Sequence, residues 1–69
     1  MTNVEALKEA LIEHSKLLAN LGDTFRAKEI KIWYLTGVMN GFLEGSNITL
    51  SHDEFMEMLD FKMKLVKEA

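Results

Sequence analysis

Apolar residues along this chain recur every three or four positions in three blocks, separated by short polar breaks. That is the helical period, so the pattern predicts an all-α protein of three helices, over residues 2–20, 24–44 and 52–68. In the first block Val4, Leu7, Leu11, Leu18 and Leu21 form a stripe, widened by Ala10 and Leu17. Glu5, Lys8, Glu9, Glu13 and Lys16 take the wet side. Thr2 and Glu5 stand at capping-box spacing, where each side chain reaches the other's orphan backbone N–H. Leu21-Gly22-Asp23-Thr24 ends the block. Gly22 suits a left-handed helix end, and Asp23 or Thr24 can cap the next helix. So short a connection makes the first two helices an antiparallel hairpin.

The second block contains the densest apolar run, IKIWYLTGVMNGFL from Ile30 to Leu43, interrupted only by Lys31, Thr36 and Asn40. Ile32, Leu35, Met39 and Phe42 fall on one helical face. Ile30, Trp33, Tyr34, Gly37 and Gly41 fall on another. A helix that is apolar on two sides needs cover on two sides. The run is shorter than the roughly 20 residues that span a bilayer and has Lys31 inside it, so protein must supply that cover. Gly37 and Gly41 each cost about 1 kcal/mol relative to Ala in a helix interior. One turn apart, they leave a flat patch for another backbone, or a groove beside Trp33, Tyr34 and Val38. Close packing within one chain is the plainer use of such a patch. A rival reading makes Ile30 to Thr36 a strand and Asn40-Gly41 a hairpin turn, since Ile, Trp, Tyr and Thr favour strands. Clean alternation is absent, however, and Arg26, Ala27, Lys28 and Glu29 are good helix formers.

The third block opens on the clearest local signal. Ser51 and Glu54 form a capping box bracketed by Leu50 and Phe55, which starts a helix at His52. Met56, Leu59, Met63 and Val66 make one stripe, and Met58, Phe61 and Leu65 a second. Acidic residues come first and Lys62, Lys64 and Lys67 last, as the helix dipole prefers.

The chain has 69 residues and reads as a single domain, 1–69. A domain near this size buries only about 60% of its unfolded surface and is marginal alone. It has no cysteine, so neither disulfides nor a Cys-based metal site can help. Oligomerisation is the remaining common remedy, and a homo-oligomer is expected. The opening MTNVEALKEALIEH has neither a basic n-region nor an apolar h-region, which leads to the expectation of a cytoplasmic protein. A net charge of −3 argues against generic nucleic-acid binding. A DNA-reading third helix would turn Asp53, Glu54 and Glu57 toward phosphates.

Candidate chemistry is thin. His14 falls within the first stripe, where a ligand, a proton carrier or a pH-sensitive packing residue would sit. No acid or second histidine lies at ligand spacing, so it reads as a partly buried side chain with one hydrogen bond, or as one that pairs with itself across a dimer. No nucleophile–base pair stands at a recognisable spacing, and neither an enzyme, a metal nor a cofactor is expected. What remains is a protein–protein interaction module, a regulator, inhibitor or adaptor of the kind bacteria and phages encode. Its partner or oligomer interface is expected at Trp33, Tyr34, Gly37, Val38, Gly41, Met56 and Met63. The alternative is an oligomer that holds a small anionic ligand such as a nucleotide at a subunit junction, with Arg26, Lys28 and Lys31 as its contacts beside the aromatics.

Overall fold

Each helix begins where a hydroxyl takes up an otherwise unpaired backbone N–H. The computed structural model describes residues 2–68, and within them the chain forms α1 (Asn3–Leu17), α2 (Phe25–Gly45) and α3 (His52–Glu68), with no strand among the described residues. Thr2 Oγ1 accepts from Glu5 N at 3.1 Å while Glu5 Oε1 accepts from Thr2 N at 3.3 Å. Ser51 and Glu54 repeat that reciprocal pair ahead of α3, at 3.2 and 3.0 Å. Thr24 caps α2 by accepting from Ala27 N at 3.1 Å. Such a cap contributes about 1 kcal/mol.

The helix ends differ in detail from the pattern. The first helix stops at Leu17, and Ala19–Leu21 tighten into a single 3₁₀ turn. Gly22 then adopts φ 84° with ψ −160°, an extended positive-φ conformation outside the left-handed helical region, which only glycine enters at low cost. At the end of α2 the left-handed residue is Asn47, with φ 54°. Its N–H donates to the Glu44 carbonyl at 3.2 Å, and Ile48 N–H donates to the Leu43 carbonyl at 2.9 Å. Those two bonds are a Schellman motif, and they turn the chain toward α3.

All three helices touch one another around a core of Leu7, Leu11, Leu18, Leu35, Met39, Met58 and Val66. Val4, Ile32, Val38, Phe42, Leu43, Leu50, Leu59, Phe61 and Leu65 pack against it. Of the two apolar faces of α2, the one carrying Ile32, Leu35, Met39 and Phe42 is the one that faces the core. The strand reading of Ile30 to Thr36 is replaced by helix, because the core demands one face every 3.6 residues. Fully burying a residue such as Leu35 stabilises the fold by about 1.5–3 kcal/mol.

Two lysines join this core. Lys31 is wholly buried, and its Nζ donates to the Gly22 carbonyl at 2.5 Å. Lys62 is 7% exposed and donates to Thr36 Oγ1 at 2.9 Å. The sequence places Lys31 among the anionic-ligand contacts and Lys62 in the basic end of the third helix, and neither place predicts burial. Their aliphatic stems fill apolar space while the ammonium reaches an oxygen. No buried side-chain nitrogen or oxygen among the described residues lacks a hydrogen-bond partner.

Candidate interaction surfaces

The other two helices cover one side of α2 and leave the other open. Trp33 is 60% exposed, and Gly37, Asn40, Gly41 and Glu44 continue the open face along the helix. A Cβ added at Gly37 or Gly41 would meet nothing within 4 Å. Neither glycine is thus needed for a close approach inside the chain, the plainer of the two roles considered above. Arg26 begins the same face. Its guanidinium lies 5.7 Å from the centre of the Trp33 ring and pairs with Glu29 Oε1 at 2.6 Å. That contact folds Arg26 along the helix toward Trp33, whose indole stays exposed.

On the α1 side, Tyr34 borders this face. Its hydroxyl lies 3.0 Å from His14 Nδ1, with the two rings tilted at 46° and 5.6 Å apart. His14 is therefore the half-buried histidine with a single side-chain hydrogen bond that its sequence position suggested. Leu17, one turn further along α1, is 70% exposed, although its spacing predicts a place beside the core stripe. Leu21, expected in that stripe, is also exposed, because the 3₁₀ turn rotates it away from the core.

On the α3 side lies a groove of about 370 Å³ between the start of α2 and the end of α3. Ile32, Met63 and Val66 line it with Phe25, and Lys28, Glu29 and Lys67 supply its polar edge. Phe25 is 84% exposed, the most open of the large apolar side chains among the described residues. Sequence pattern did not single it out. The available signal was a large aromatic at the first helical position, with no preceding turn to pack against.

The expected site residues fall into separate places. Trp33, Gly37 and Gly41 share the open face of α2, with Tyr34 at its border. Val38 does not join them, since it is half-buried and packs against the core. Met63 lines the groove, and Met56 stands exposed two turns earlier on α3. The expected anionic-ligand contacts are likewise dispersed. Arg26 sits beside Trp33, Lys28 edges the groove, and Lys31 is turned inward to Gly22.

No group of three or more His, Asp or Glu side chains able to hold a metal ion occurs among the described residues. None of their helices is long and apolar enough to cross a membrane. Set against protein-family models, curated proteins and solved structures, the chain matches none of them.

Proposed function

We propose that this chain is a small cytoplasmic interaction module that regulates, inhibits or adapts another protein by covering part of its surface, and that it works as a homo-oligomer. The observation that carries this reading is the two most exposed aromatic residues of α2, Phe25 over the groove and Trp33 on the open face. An apolar groove with an exposed aromatic at its mouth is a common form of interaction site in soluble proteins. Aromatic side chains are also the ones that most often anchor such contacts. In this reading the groove, with Met63 beside Phe25, receives the foreign partner, and the Trp33 face serves self-association. The reading of a nucleotide-like ligand has less support, because Lys31 is buried and Lys28 and Arg26 open onto different surfaces.

Photo-crosslinking in the native cell tests it. A photoreactive aromatic residue replaces Phe25, with Glu9 on the far wet side as the control position. The expected result is an adduct from position 25 whose mass is not a multiple of this chain's own, and none from position 9. Adducts with itself alone, or none, would overturn the partner-binding reading.

A further inference from the structure

We propose that the open face of α2 pairs with α2 of a second copy of this chain, antiparallel, about a two-fold axis level with Leu35. The proposal deepens the interaction-module reading and rests on it for the premise that this face is covered. Four exposed residues define the contact: Arg26, Trp33, Gly37 and Glu44. At about 100° per residue all four lie within roughly 40° of one another around the helix. Arg26 and Glu44 stand nine positions either side of Leu35, and Trp33 and Gly37 stand two positions either side.

That placement decides what meets what. Across an antiparallel two-fold contact, positions equally far from the centre on opposite sides come level. Arg26 of each copy then meets Glu44 of the other, so opposite charges meet twice. Trp33 of each copy meets Gly37 of the other, so the largest side chain lies where there is none. Side chains on a helix lean toward its N-terminus, which carries the indole over the space between Gly37 and Gly41 of the second copy. The guanidinium of Arg26 is already drawn along the helix to Trp33. It lies on the side from which Glu44 of the other copy leans in. Glu29 occupies part of that guanidinium, and five N–H donors leave others for a second carboxylate.

Competing registers fail on the same residues. A parallel, in-register pair sets Arg26 against Arg26 and Trp33 against Trp33. An antiparallel pair that centres Trp33 on Gly41 brings Arg26 level with Ile48, beyond the end of α2. A foreign partner has no need for charge and bulk to be mirrored about one residue, whereas a second copy does.

Charge exchange tests the register. Sedimentation is measured on the full chain, on Arg26→Glu, on Glu44→Arg, on their equimolar mixture and on the double variant. Circular dichroism accompanies each sample. Wild type is expected to be a dimer, and each single variant to dissociate at least about tenfold more readily. The mixture regains the dimer, because a heterodimer of the two variants has attraction at both charge contacts, and so does the double variant. Glu44 forms no ion pair among the described residues, so Glu44→Arg breaks none there. A wild-type monomer at every concentration would overturn the proposal. A dimer insensitive to both exchanges, or a mixture that stays monomeric, would also overturn it. In those cases an adduct at Phe25 would still leave the interaction-module reading standing.

Discussion

Lys62 donates from Nζ to Thr36 Oγ1 across the contact between α3 and α2, and Thr36 in turn donates to the Ile32 carbonyl at 2.7 Å. One hydroxyl thus serves a buried ammonium and its own helix at once. Thr36→Val keeps the shape and removes the acceptor, so it should cost about 1.5–3 kcal/mol, the range for a hydrogen bond to a charged group. Lys62→Met removes the charge and keeps the stem. It should cost little or stabilise, as replacement of buried charges by apolar residues often does. With the methionine in place, Thr36→Val should become nearly neutral. Urea unfolding of the four proteins at one fixed concentration measures that coupling.

The two lysines of the early α2 should respond differently. Lys31 is fully buried against the Gly22 carbonyl, whereas Lys28 lies exposed at the edge of the groove. Lys31→Ala opens a cavity and loses the tie to the interhelical turn, with a cost of about 2–4 kcal/mol by analogy with other large-to-small core changes. Lys28→Ala should stay within about 0.5 kcal/mol of wild type. Thermal unfolding of the pair, again at matched concentration, reads the difference.

The glycines of α2 give a prediction of the opposite sign. Gly37→Ala and Gly41→Ala meet no neighbour within the chain. Each should stabilise the isolated monomer by about 0.5–1 kcal/mol, through the lower entropy cost of fixing alanine in a helix. Denaturation in dilute solution, where assembly is absent, is the measurement. A loss of stability there would mean that these positions are held closely by the chain itself.

Much of this fold was legible along the chain. The reciprocal caps at Thr2/Glu5 and Ser51/Glu54 are local patterns, and local patterns survive folding. The inner face of α2 was legible too, because Leu35 and Met39 with Ile32 and Phe42 follow one period. Lys31 and Lys62 were not, since charge is ordinarily the surest sign of solvent. Yet each stands in a series of buried positions spaced four residues apart, Ala27-Lys31-Leu35-Met39 in α2 and Met58-Lys62-Val66 in α3. A lysine in the middle of such a series was the available signal. The groove at Phe25 was hidden for another reason: it exists only where two helix ends, far apart in sequence, lie side by side.

The most direct test of the open α2 face uses the chain's single tryptophan. Acrylamide quenching of Trp33 fluorescence is followed from dilute to concentrated solution, with light scattering on the same samples. If this face is bare in the folded chain and covered on assembly, quenching is efficient in the dilute monomer and falls as the assembly forms. A Trp33 already shielded in the monomer, or equally accessible at every concentration, would contradict the account.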